Sequence, residues 1–195
     1  MELPSPLRAA VDQMLAGEPL ERLAKASALL SDRYRREVRD GRFHIDDALA
    51  AKAYLATRMP ATYAAVRAAL SMVEDVAPDF EPRTQIDLGS GPGTAFWAAQ
   101  DAWPQMQSAD MVEASAAIRS VGDALARHAT VMARWHAGDV TGKIPALAPA
   151  DLVTLAYVLD ELPPATIAAV TTKLWALTTD MLVIIEPGTT AGWQR

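Results

Sequence analysis

No cysteine occurs among the 195 residues. Disulfides, thiolate catalysis and thiolate-bound zinc or iron–sulfur centres are therefore excluded within this chain. Histidine is nearly as scarce. His44, His128 and His136 are scattered without ligand spacing, so no metal site is expected. Positive charge is also short: 18 Lys+Arg stand against 24 Asp+Glu, a formal net charge of −6. That balance argues against a protein that coats nucleic acid through bulk electrostatics. No apolar run approaches the roughly 20 residues that span a bilayer, so no membrane association is expected. The start, Met1-Glu2-Leu3-Pro4-Ser5-Pro6, lacks the basic region and apolar stretch of a secretory signal. A reducing cytoplasm is the expected setting. What remains, 51% hydrophobic and 22% charged residues, is the balance of a globular protein.

The charge is uneven. Residues 1–85 hold 12 Lys/Arg against 13 Asp/Glu, a net of −1, while residues 86–195 hold 6 against 11, a net of −5. Within the first part, Asp32 to Arg42 gathers Arg33, Arg35, Arg36, Arg39 and Arg42. Such a run is either a solvated helix face or a phosphate-contacting patch.

Residues 1–77 read as a helical region, expected to be a cap or an RNA-contacting element. Ser5 is placed to cap a helix from Pro6 toward Gly17, with Pro early and Gly past the end. A second helix starts near Pro19 and stops at Gly41. Asp46 and Asp47 favour a third over Ala48–Met59 through the macrodipole, and Pro60 opens a fourth running to about Val76. Two prolines, Pro78 and Pro82, then end the helical pattern. From residue 78 onward short apolar runs appear at Thr84–Leu88, Ser108–Val112, Val131–Trp135, Asp151–Ala156 and Met181–Glu186. Helical stretches at Thr94–Trp103, Ser115–His128 and Pro163–Thr178 alternate with them, whereas Gly138 to Pro149 leaves room only for a short helix. Strands alternating with helices imply a parallel sheet in a layered α/β domain over residues 78–195.

The first strand runs directly into Asp87-Leu88-Gly89-Ser90-Gly91-Pro92-Gly93-Thr94 and a helix follows at once. Glycines there allow a sharp turn and let a nucleotide approach without a Cβ in the way, and the helix N-terminus offers amides to polar ligand groups. The dinucleotide fingerprint is G-x-G-x-x-G. Here the spacing is G-x-G-x-G with Asp87 two positions ahead. This resembles motif I of class I S-adenosylmethionine-dependent methyltransferases. Glu113 ends the second strand, where a carboxylate accepts hydrogen bonds from ribose hydroxyls; the alternative is a surface carboxylate. After the third strand come Asp139 and Val140. The resemblance implies an acidic contact to the adenine amino group and an apolar neighbour against the ring, while Asp139 read alone also suits a turn cap. The cofactor-binding set is therefore Asp87, Gly89, Ser90, Gly91, Gly93, Thr94, Glu113, Ala114, Asp139, Val140 and Ala156. The fold expected is a Rossmann-like class I methyltransferase sheet preceded by an all-helical region.

Several phrases carry a closer likeness: Tyr54 to Tyr63 (YLATRMPATY), Asp87 to Trp97, Asp151 to Leu162 (DLVTLAYVLDEL) and Glu186-Pro187-Gly188-Thr189. Over roughly residues 45–193 the chain resembles the ribosomal small-subunit methyltransferase-like proteins of bacteria and mitochondria. That resemblance implies a methyltransferase acting on small-subunit ribosomal RNA, or an assembly factor of the small ribosomal subunit. Family members continue through further strands and a cysteine-bearing region that looks like a metal-cluster site. This chain stops at Arg195, so a sheet lacking its last two strands is expected, with an open edge at Met181–Glu186 that invites pairing with another chain as a homo-oligomer.

The methyl acceptor is expected beyond the fourth strand, near Ala156 to Glu161. The Asn/Asp-Pro-Pro-aromatic motif of exocyclic-amine methylation is absent there. Tyr157 is placed either to stack on a base or to pack as an ordinary aromatic. Asp160 and Glu161 either accept a proton or cap the helix that Pro163 opens. Trp97, Trp103, Trp135, Trp175 and Trp193 are read as core or crevice-wall residues. Three functions follow: a methyltransferase of small-subunit rRNA, a noncatalytic assembly factor that keeps the cofactor fold, and a small-molecule methyltransferase.

Overall fold

The computed structural model describes residues 1–35, 45 and 47–188, with 34 and 35 in backbone only. Arg36, Arg39 and Arg42 of the basic run, Gly41, His44, Asp46, Thr189, Trp193 and Arg195 lie outside the described residues.

Four helices come first: α1 (Ser5–Leu15), α2 (Leu20–Arg35), α3 (Ala48–Thr57) and α4 (Met59–Val76). Ser5 is inside α1 rather than capping it; Pro4 takes the cap position without a side-chain bond. The fixed φ of Pro4 already sets the entry, and Pro6 needs no amide partner in the first turn. Asp47 caps α3, its Oδ1 accepting from the Ala50 amide at 2.7 Å. That helix stops at Thr57, two residues short of Met59, because Pro60 cannot continue it.

The alternating part follows as β1 (Thr84–Leu88), α5 (Thr94–Ala102), β2 (Ser108–Glu113), α6 (Ala116–Ala126), β3 (Met132–Ala137), β4 (Ala150–Ala156), a 3-10 turn (Leu159–Glu161), α7 (Pro164–Ala176) and β5 (Thr178–Ile185). The five strands are parallel and ordered β3-β2-β1-β4-β5. β5 is an edge strand and begins at Thr178, ahead of the apolar run at Met181. Residues 138–149 hold no helix. No helix among the described residues is long and apolar enough to cross a membrane.

Side-chain alternation along the strands divides the core. On one face Ala109, Met111, Leu152 and Val183 meet Phe96 and Trp97 of α5, and the same cluster includes Leu7, Leu55, Met59, Tyr63 and Leu70 of the first helices. On the other face Ile86, Leu88, Val153 and Leu155 pack with Val170 and Leu174 of α7. Trp97 and Trp103 are buried, as expected, but Trp175 is 69% exposed. It follows Leu174 by one residue, about 100° around the helix, and so turns away from the sheet.

The connection from β1 crosses to β2 on one side, while β4 pairs β1 on the other. A crevice opens where such a chain reverses direction across the sheet, outside the carboxyl ends of the strands.

Candidate functional site

The glycine loop lies at that reversal. Gly89, Gly91 and Gly93 have φ of 64°, 53° and 85°, in the left-handed region that a side chain disfavours. At Gly89 a Cβ would also fall 2.5 Å from Val158 Cγ2. The loop is pinned to the second strand: the amides of Gly89 and Ser90 donate to Val112 O at 2.8 and 3.2 Å. Glu113 grips it from the side, its Oε2 accepting from Gly91 N at 3.0 Å and its Oε1 from Ser115 N at 2.8 Å. Trp135 Nε1 donates to Gly91 O at 3.3 Å.

Behind the loop runs a buried polar line. Gln85 Nε2 donates to Thr154 Oγ1 at 3.0 Å, and Thr154 Oγ1 donates to Asp87 Oδ1 at 2.6 Å. Asp87 and Thr154 are register partners of β1 and β4. Asp87 is 1% exposed and its Oδ2 has no hydrogen-bond partner; the same holds for Ser90 Oγ. A buried polar atom left unpaired costs free energy, so both atoms are suited to a ligand in the adjacent space.

That space is a cavity of about 810 Å³, the size of ordinary cofactor sites. Asp87, Gly89, Ser90, Gly91, Thr94, Glu113, Ala114, Asp139, Val140, Ala156, Tyr157, Asp160 and Glu161 all line it. Gly93, the remaining residue expected there, stands behind it as the N-cap of α5, with Trp135 packed where its Cβ would be. Asp139 also closes a turn, its Oδ1 accepting from Thr141 N and Oγ1 at 2.8 and 2.7 Å. The turn-cap reading of that residue is thus realised, at the cavity's edge.

The β4 tip is held from β5. The Glu186 carboxylate accepts from the amides of Val158, Leu159 and Asp160 at 3.1, 2.9 and 3.2 Å. Tyr157, with φ of 60°, donates its amide to Ile185 O at 2.7 Å. Asp160 and Glu161 form the 3-10 turn, and α7 starts at its Pro163 cap without a side-chain bond. Capping of α7 is therefore not their part.

The cavity is acidic. Burial pushes the Asp87 carboxyl up to about 7, with Glu113 adding to the rise and the Thr154 bond opposing it. Burial also raises Glu113, against the pull of the Ser115, Gly91 and Ala114 amides and of Arg119. Glu161 is raised to about 7, first by lost solvation and then by Glu113, Asp160 and Glu186, with Arg58 opposing. Its side chain still meets water in the open cavity, which screens those charges, so the rise carries little stability.

Sequence reasoning offered the N-terminal helices as a cap or RNA-contacting element but named no cavity-lining residue in them. Tyr54 of α3, Arg58 at the α3–α4 joint, and Ala61, Thr62 and Val66 of α4 line the same cavity. The phrase Tyr54–Tyr63 was the available signal. Nothing local in it says which sheet end it will face.

Comparison with known proteins agrees with this fold. DhpI, solved with SAM and HEP, shares the fold with a TM-score of 0.57 at 17% identity, over 83% of this chain and 67% of that one. The plantazolicin methyltransferase BpumL, solved with a desmethylPZN analog and SAH, gives 0.53 at 12% identity over 91% and 61%. The fold is that of class I methyltransferases. The human ribosome assembly protein METTL17, mitochondrial, is 32% identical over 145 residues, which are 71% of this chain and 32% of that protein. The chain thus spans about a third of the length of that curated relative. Residues 48–195 match the family described as mitochondrial small ribosomal subunit Rsm22, and the chain belongs to that family.

Proposed function

We propose that the cavity binds S-adenosylmethionine and that the chain is the cofactor-binding part of a methyltransferase of small-subunit ribosomal RNA. One observation carries this: carboxylates from the ends of three strands, Asp87, Glu113 and Asp139, meet a positive-φ glycine loop at a single cavity. The residues fit the group. Glu113 is positioned for the ribose hydroxyls, Asp139 and Val140 for the adenine, and the unpaired Asp87 Oδ2 for the cationic methionyl end. The bound cofactor supplies an electrophilic methyl on a sulfonium. The chain's own contribution is alignment, which supplies most of the rate when the acceptor is already nucleophilic. Tyr157, Asp160 and Glu161 form the wall beside the β4 tip, where an acceptor base would stack or lose a proton. The helical region before the sheet serves as a cap or RNA-contacting element, its α3–α4 part closing one side of the site.

A second reading has an observation of its own. The β4 tip lacks the Asn/Asp-Pro-Pro-aromatic motif and instead runs into a turn tied down by Glu186. This favours a noncatalytic small-subunit assembly factor that retains the cofactor fold.

Calorimetry with S-adenosylmethionine is the first test. Measurable heat, a raised Tm and loss of both in Glu113→Ala support the site; no heat and no protection would sink it. Transfer of labelled methyl to small-subunit rRNA then separates the two readings. Binding without transfer selects the assembly factor.

A further inference from the structure

We propose that Arg58, at the joint of α3 and α4, binds the carboxylate of the cofactor's methionyl end. The proposal rests on the cofactor reading above. The cavity is lined by five carboxylates, Asp87, Glu113, Asp139, Asp160 and Glu161, and among the described lining residues by a single Lys or Arg, Arg58. S-adenosylmethionine carries two cationic groups, the sulfonium and the ammonium, and one carboxylate. The acidic wall suits the cations. The carboxylate placed on the same wall would meet like charge, so it belongs where the potential is positive.

Two features converge at the joint. Arg58 is the C-cap of α3 and the N-cap of α4, with φ of −110° and ψ of −43°. The N-terminus of the 18-residue α4 has no side-chain cap and no acidic residue in its first turn, and its Ala61 and Thr62 line the cavity. The positive end of the α4 dipole adds to the guanidinium charge at this edge. The joint is also fixed in place. Leu55, Met59 and Tyr63 around it are buried to 1% exposure or less, and Tyr54 packs against the same core. Arg58 also acts on Glu161, holding down the rise of its carboxyl. A guanidinium has five donors in a planar fork, enough to face that side chain and a ligand carboxylate together.

The test compares S-adenosylmethionine with its decarboxylated analogue, which keeps both cations, on the whole chain by calorimetry. The quantity read is the ratio of the two affinities in wild type, Arg58→Met and Arg58→Lys. Arg58→Met is expected to shift that ratio by about 10–100-fold against S-adenosylmethionine, while the analogue's affinity stays within a few-fold of wild type. Arg58→Lys, which keeps the charge but loses the fork, shifts it less in the same direction. An unchanged ratio in both variants overturns the proposal. An equal loss for both ligands also overturns it, since it assigns Arg58 a structural role through Glu161. If Arg58→Met does not fold, Arg58→Lys decides on the same ratio. If wild type binds neither ligand, the cofactor reading itself has failed and the role of Arg58 falls with it.

Discussion

Thr154 Oγ1 donates a 2.6 Å hydrogen bond to Asp87 Oδ1, joining the two central strands directly beneath the glycine loop. Asp87 lines the cavity, and its Oδ2 is buried without a partner. The bond to Thr154 sets the acid's position, and its loss has a definable cost. Thr154→Val keeps the volume but strips Asp87 Oδ1 and Gln85 Nε2 of a shared partner. Two buried groups left unpaired cost roughly 1–3 kcal/mol in all, which lowers Tm by several degrees in a chain of this size. Thermal unfolding checks this, and an unchanged Tm would remove the buried polar line from the account.

Asp87 makes stability and binding respond oppositely to pH. Its folded carboxyl is raised to about 7 from an ordinary 3.8. Between those values the folded chain keeps a proton that the unfolded chain has lost, so the free protein loses stability as pH rises through that window. A cationic ligand favours the ionised acid. Affinity for S-adenosylmethionine is therefore expected to rise between pH 6 and pH 8, with proton release on binding near pH 6.5. Asp87→Asn should flatten the free protein's decline, gaining up to about 2 kcal/mol at pH 8 and nothing at pH 4, while weakening the ligand tenfold or more. Calorimetry in two buffers of different ionisation heat reads the proton directly; identical heats would count against this role.

Gly89 is the loop position with least freedom. Alanine there would be strained at φ of 64° and would press on Val158. Gly89→Ala is expected to cost roughly 1–2 kcal/mol from the backbone alone, with more from the contact, and to abolish ligand binding. Adding Val158→Ala should recover the contact part but not the backbone part. Urea unfolding of the single and double variants separates the two. A single variant as stable as wild type would show that the loop relaxes.

Glu186 holds the β4 tip through three amides. In Glu186→Gln the amide nitrogen cannot accept, so part of that set is lost, at about 1–2 kcal/mol for a half-buried group. The effect should be local. Hydrogen exchange at Val158, Leu159 and Asp160 is expected to speed up by at least tenfold, with β1 and β2 amides unchanged. Uniform acceleration across the sheet would instead indicate a global loss.

Much of this protein was legible in its sequence. The strand at Thr84–Leu88 has the boundaries that its apolar run suggested, Pro60 lies in the first turn of α4 and Pro78 follows shortly after its end. Glycines at 89, 91 and 93 make the sharp turn expected of them, with φ in the left-handed region. These are properties of a few adjacent residues, set by φ/ψ sterics and by apolar period, and so they survive without tertiary context. Asp87, Glu113 and Asp139 lie at or just beyond the carboxyl ends of β1, β2 and β3, and alternating strands and helices already imply the parallel sheet that gathers those ends on one side.

What the sequence alone could not supply are pairings between distant segments. Thr154 lies 67 residues from Asp87, and Glu186 lies 28 from Val158. The contact of each depends on strand register and on β4 pairing with both β1 and β5. Trp175 faces solvent because Val170 and Leu174 take the sheet side of α7. The cavity wall of Tyr54, Arg58 and Thr62 exists only because Leu55, Met59 and Tyr63 join the same core as α5. Local chemistry chose the glycine loop and its acids. Packing and strand order decided which residues close around them.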